Sequence, residues 1–229
     1  MGRHTLEGNP PIDVNLRRSA RARRLSLRVS RLDGRVTLTM PEYTPAREGI
    51  AFLQSKENWL RGHIAQLRPA TFVDVGSQVL FRGQAVPVVE GKRRRAAIIE
   101  DAIEVAAGKP AAAQIKALLR HHARDALAEA SDRYARSLGQ SYTRLSIRDT
   151  RSRWGSCSAQ GTLMYSWRLI MAPAPVLDYV AAHEVAHLVE MNHQPAFWQV
   201  VAGLCPDYQT HRQWLRDHGD TLHQVRFDD

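Results

Sequence analysis

Three histidines and one glutamate are the residues best placed to do chemistry in this chain. His183-Glu184-Val185-Ala186-His187 is an H-E-x-x-H sequence, and His193 lies just beyond it. Residues four apart on an α-helix share one face, about one turn apart. Two imidazoles placed this way reach a single Zn²⁺. The glutamate beside the first projects near the same ion, where it can take a proton from a bound water. That spacing is the signature of a zinc-dependent hydrolase. The run 176–189 is apolar outside the motif, which predicts a buried helix. Unpaired imidazoles and a carboxylate are costly in such a place, and a metal that takes the imidazole lone pairs removes much of the cost.

His193 needs a different geometry. A continuing helix would turn about 600° between His187 and His193, which puts the third ring on another face. The spacing therefore predicts that the helix ends near Asn192 and that the chain turns back to bring His193 to the metal. Pro195 then opens a new helix carrying Phe197, Trp198 and Val201. Three protein ligands and one water make a catalytic zinc site rather than a structural one. A purely structural site would have no use for Glu184. The other histidines fit less well. His121 and His122 read as surface residues of an amphipathic helix, and His211, His218 and His223 have no ligand-like spacing. Asn192 reads as a helix-end residue, and Trp154 and Trp198 as packing beneath the site.

The elements that position the motif follow from hydrophobic patterning. Residues 12–40 read as two strands, around Leu27 and Leu38, with Asp33-Gly34 as the hairpin turn. Pro45 opens one helical run ending near Pro69. Strand patterns return from 71 to 107, with Arg82-Gly83-Gln84 between two of them, and Gly108-Lys109-Pro110 reads as a boundary. A long helix starts at Ala111, with Ile115, Leu118, Leu119, Ala123, Leu127, Ala130 and Tyr134 on its apolar stripe, and stops at Leu138-Gly139. Strand-like runs at 144–148 and 161–166 precede the motif helix. The expected fold class is α+β, with a β-rich N-terminal region containing one helix over 1–108. The second domain, 109–229, is zincin-like: a small sheet lies against the helix that carries the ligands.

Bulk properties set limits. The chain has 229 residues, which allows one large domain or two small ones. No apolar run is long enough to span a bilayer, and the N-terminus lacks an apolar signal core. The expectation is a cytoplasmic protein with no membrane partner. Cys157 and Cys205 are expected as reduced thiols, with Cys157 on a strand. Net charge is +9, concentrated at Arg17, Arg18, Arg21, Arg23, Arg24, Arg28 and Arg31 and again over Lys92–Arg95. Such clusters attract nucleotides or nucleic acid, or else simply line a solvated face. The role of the N-terminal region stays open between a propeptide-like cover, a recognition sheet and a basic docking surface.

Trp154-Gly155-Ser156-Cys157-Ser158, Asp178-Tyr179-Val180, the H-E-x-x-H itself, and Met191-Asn192-His193-x-Pro195-x-Phe197-Trp198 together resemble the YgjP-like metallopeptidase domain family. The Arg-rich strand, the hairpin with Pro41 and Lys56-x-x-Trp59 extend the resemblance over most of the chain. The family is related to SprT-like and minigluzincin metallopeptidases. The resemblance implies His183, His187 and His193 as zinc ligands and Glu184 as the catalytic acid/base. Gln194 departs from it, since a small hydroxyl residue is common there; this weakens a helix cap and leaves the metal site alone. The implied chemistry is hydrolysis of a protein or peptide, with Tyr165, Tyr179, Arg153 and Arg168 all open as the oxyanion donor. Two alternatives stand beside it. One is a nucleoside triphosphate pyrophosphohydrolase using Mg²⁺ or Mn²⁺, since hard ions suit phosphates. The other is an SprT-like protease associated with nucleic acid.

Overall fold

The structure is a computed structural model that describes residues 2–30, 34–66 and 70–227. Asp33 of the expected turn, Arg31 of the first cluster and Pro69 at the expected helix end lie outside the described residues. The chain divides into two compact units, residues 1–69 and 70–229.

The first unit is a four-stranded sheet with two helices. Strands β1 (Gly2–Leu6), β2 (Ile12–Ser19), β3 (Ser26–Val29) and β4 (Val36–Pro41) lie in the order β1-β2-β4-β3. The β3–β4 pair is antiparallel and β2 joins β4 in parallel. Alternation in β4 sends Val36, Leu38 and Met40 into one core with Ile12 and Val14. The expected single helical run is two helices, α1 (Ala46–Ser55) and α2 (Glu57–Ala65). They meet at Lys56, whose amide turns back to the Leu53 and Gln54 carbonyls. The mixed apolar spacing of this run reflects the break: Leu53 and Leu60 reach the same core from separate helices. Arg18 of the basic cluster has a structural task, donating to the carbonyls of Glu42 (2.6 Å) and Thr44 (2.7 Å).

The second unit is built around α3 (Ala111–Ser137). Its buried stripe is Ala111, Ile115, Leu119, Ala123, Leu127, Ala130, Ser131 and Ala135, close to the predicted one. Leu118 and Tyr134 sit at its half-buried margin. The strands read from 71 to 107 are β5 (Thr71–Phe72), β6 (Gln78–Phe81), β7 (Gln84–Gly91), β8 (Ala97–Ile99) and β9 (Ala102–Ala106), the last four ordered β6-β7-β9-β8. They belong with this unit and not with the N-terminal one. Val79, Val88, Ile103 and Val105 share a core with Ile115 and Leu119. Alternation in a strand declares an apolar face but does not say which core receives it.

A second sheet, β10-β12-β11, comprises β10 (Arg144–Arg148), β12 (Thr162–Ser166) and β11 (Gly155–Cys157). It is followed by a 3-10 turn over Trp167–Met171 and then α4 (Ala174–Ala186), α5 (Pro195–Leu204), α6 (Tyr208–His218), α7 (Thr221–Gln224) and β13 (Val225–Arg226). The β6–β7 hairpin is a two-residue turn with φ of 50° at Arg82 and 84° at Gly83, the positive pair that a tight hairpin requires. Its amides donate to Ile170 (2.8 Å) and Met171 (3.1 Å), so it braces the entry to α4. No helix among the described residues is long and apolar enough to cross a membrane.

Arg168 ties the C-terminus to this core. Its guanidinium donates to Asp149 (2.8 Å) and to the carbonyls of Leu222 (2.8 Å) and Val225 (3.0 Å). Burial pushes Asp149 up, but the hydrogen bond and charge of Arg168 outweigh it and hold the carboxyl below its usual range. Next to this knot, burial and then the Arg168 charge push His223 down to about 4 from 6.5. His223 stays neutral in the fold while the unfolded chain takes up a proton below about 6.5. Stability should therefore fall as pH drops from about 6.5 to about 4 and level off below, by roughly 3 kcal/mol from this group. Denaturant unfolding over that range should show a flatter profile for His223→Gln than for the wild type.

Candidate metal centre

Helix α4 starts cleanly because Pro173 precedes it and Pro175 lies in its first turn, where a missing amide proton costs nothing. It ends at Ala186, earlier than expected, with His187 as the capping residue. The amides of Leu188, Val189 and Glu190 fold back onto the Val185 and Ala186 carbonyls. This turn reverses the chain and brings His193 home. The ring nitrogens of His183, His187 and His193 that face one another all lie within 4.8 Å, and Nε2 of His183 is 3.1 Å from Nε2 of His193.

Several contacts fix these rings. Nδ1 of His187 lies 2.9 Å from the Glu190 carbonyl, which can only accept; this nitrogen carries the proton, and Nε2 is left with its lone pair. The His193 turn is pinned on both sides. The Gln194 amide donates to Asn192 Oδ1 (3.0 Å), and the Trp198 indole donates to the His193 carbonyl (3.2 Å). Trp198 is thus more than packing. Beneath the three imidazoles lies fully buried Phe197, its ring centroid 4.4, 4.8 and 4.9 Å from those of His187, His193 and His183. Burial, followed by the neighbouring imidazoles, pushes His183 down to about 3, so its ring is a neutral donor to a cation. Burial also lowers His187.

The donor set suits zinc. Four ligands at about 2.0–2.1 Å in a tetrahedron lie about 3.3 Å from one another, close to the His183–His193 separation. Two imidazole nitrogens held so near, both offering lone pairs, repel unless a proton or a cation lies between them. The far nitrogen of His183, Nδ1, is buried without a hydrogen-bond partner among the described residues; an ion on Nε2 would not change that.

Glu184 projects from α4 onto β11. It is only 6% exposed. A Cβ added at Gly155 would fall 2.5 Å from its Oε1, so the strand makes room for this carboxylate only because residue 155 is glycine. Burial pushes Glu184 up to about 8, opposed by the positive charge of Arg153 and by the amide of Cys157, which donates to it. Gly155 and the Cys157 amide are neighbours of Glu184 that spacing arguments did not find, and Arg153, one of the candidate oxyanion donors, is a third. Gly155 and Cys157 lie in the Trp154–Ser158 run that carries part of the family resemblance, and Arg153 immediately precedes it. Cys157 is strand-borne, as expected, and burial raises its thiol.

The open choice among oxyanion donors narrows. The Tyr165 hydroxyl is fully buried and paired with Ser131 at 3.0 Å. Arg168 is committed to Asp149 and two carbonyls. Arg153 and Tyr179 remain near the centre, the latter with its ring 6.0 Å from that of His183. His121 is exposed, His122 packs edge-on to Phe81, and His223 is buried far along the chain.

Three imidazoles converging beside a buried carboxylate form a donor set used by metal-dependent hydrolases. The chain belongs to the YgjP-like, metallopeptidase domain family, whose model matches residues 23–218. Among solved structures, that of the metallopeptidase zymogen abylysin of Pyrococcus abyssi is similar over 39% of this chain and 93% of that one, at 18% identity and a TM-score of 0.34. No curated protein matches the chain.

Gly155→Ala should displace the Glu184 side chain. The expected result is a loss of about 1–3 kcal/mol in denaturant unfolding, with a crystal structure of the variant showing the carboxylate moved off the Cys157 amide.

Proposed function

We propose that this protein is a zinc-dependent peptidase in which His183, His187 and His193 hold the ion and Glu184 is the general base. The observation that carries the reading is the convergence of three imidazoles beside a carboxylate desolvated against Gly155. When bound, zinc supplies Lewis acidity, polarising the scissile carbonyl and making water a stronger acid.

The rest falls to the chain's own residues. Glu184 accepts a proton from the attacking water and delivers it to the leaving amine. Its desolvation makes it a stronger base than a solvated carboxylate, and the Cys157 amide aims it. Arg153, whose charge reaches Glu184, together with Tyr179, whose ring lies beside His183, supplies the donor set for the tetrahedral oxyanion. Phe197 packs the imidazoles with an apolar ring, and the indole N–H of Trp198 is spent on the His193 carbonyl. The metallopeptidase family supports peptide substrates over phosphoanhydrides.

Purified protein with its metal content measured, offered an unfolded protein or a nucleoside triphosphate with Zn²⁺ or Mg²⁺, tests this directly. Glu184→Gln should lower proteolysis by at least about 100-fold while bound zinc is unchanged. Loss of triphosphate turnover in the variant would move the assignment to nucleotide hydrolysis. Zinc retained with no Glu184-dependent activity on either substrate would refute an enzymatic role. A second expectation concerns the ion itself. Chelation should lower thermal stability, and free zinc at about 100 times Kd should restore about 2.7 kcal/mol; in His183→Ala both effects should vanish.

A further inference from the structure

Between α3 and the edge strand β10 runs a groove of about 860 Å³ that the catalytic reading does not use. Arg120, His121 and Arg124 line it from the helix, and Arg144, Tyr142 and Arg148 from the strand side. All four arginines are exposed. None of their guanidinium groups has a hydrogen-bond or ion-pair partner among the described residues. The carboxylate paired within the cluster, that of Asp125, lies 3.6 Å from His121 and not from a guanidinium. Four unneutralised cations along one groove make a field that attracts an extended anionic ligand.

The strand decides which kind. In the sheet order β10-β12-β11, β10 has β12 on one side and no strand partner on the other among the described residues. Its free edge presents unpaired amides and carbonyls, a template for one more strand. The spacing of charge fits such a guest. Arg120 and Arg124 are one turn apart, about 6 Å along the helix axis. Alternate side chains of an extended peptide are about 6.6 Å apart. Arg144 and Arg148 sit at the two ends of the strand, roughly 13 Å apart, spanning two such repeats. Base stacking finds less here, because Tyr142 is tethered through its hydroxyl to Asp132 at 2.5 Å and no ladder of rings accompanies it.

We propose that this groove docks an extended acidic peptide segment, added as a strand to the edge of β10 with its carboxylates on Arg120, Arg124, Arg144 and Arg148. The binding stands on the groove alone. Only the consequence that the docked segment belongs to a protein being cleaved rests on the peptidase reading.

The test is fluorescence anisotropy of the full-length protein with a fluorescein-labelled peptide of alternating Glu and Thr. A Lys-Thr peptide, oligothymidylate and a Glu-Thr peptide N-methylated at alternate amides serve as comparisons. The Glu-Thr peptide should bind with an affinity that falls as salt is raised. Arg144→Glu/Arg148→Glu, or independently Arg120→Ser/Arg124→Ser, should weaken it by about tenfold or more, with circular dichroism confirming the fold. N-methylation should weaken it similarly. Glu184→Gln and metal-stripped protein should bind unchanged, so failure of the catalytic reading leaves this result standing. Oligothymidylate binding more tightly than the peptide would overturn the proposal, as would indifference to N-methylation or unaltered binding by both double variants.

Discussion

The second unit is organised around a carboxylate that has been taken out of water. Glu184 stands on an apolar helix and lies against β11, where Gly155 leaves the space and Cys157 offers an amide. A carboxylate at this depth is unfavourable unless hydrogen-bonded and faced by positive charge. Helix α4 must therefore lie in one rotational setting against the sheet. That setting also decides where His183 and His187 point. The geometry of the imidazoles is in this sense a by-product of the accommodation of the glutamate, and Phe197 and the His193 turn complete what it begins.

Much of this was legible in the sequence. The H-E-x-x-H spacing and the helix break before Pro195 predicted three rings on one point, and the three rings do converge. The α+β class and the apolar stripe of α3 were likewise readable, because both rest on local periodicity. What was not readable depends on contacts between distant segments. Gly155 and Cys157 touch Glu184 across nearly thirty residues of chain, and no spacing rule connects them. Trp198 looked like packing because an indole in an apolar helix usually is; its hydrogen bond to the His193 carbonyl is a tertiary fact. The four candidate oxyanion donors could not be separated until the partners of Tyr165 and Arg168 were in view.

The strands of 71–106 teach the same lesson about larger pieces. Their alternation is plain, yet on sequence alone it groups them with the preceding β-rich segment. The structure packs them on α3. The helical run that opens at Pro45 reads as one helix for a related reason, since one continuous helix and two helices broken at Lys56 bury similar residues. Arg18 shows that a charge cluster need not act as a single surface: one of its members is consumed in bracing a loop.

The hairpin of Arg82 and Gly83 grips the segment ahead of α4 through main-chain amides alone. A latch of that kind does not use the side chains of the residues it grips, although a Cβ at residue 83 would crowd Pro173 at 3.0 Å. Substitutions along the 3-10 turn can accumulate without loosening it, provided the backbone keeps its course and residue 83 keeps its left-handed conformation. The brace behind the motif helix is thus inherited as shape rather than as sequence, and relatives can keep it after the residues that form it have ceased to look alike.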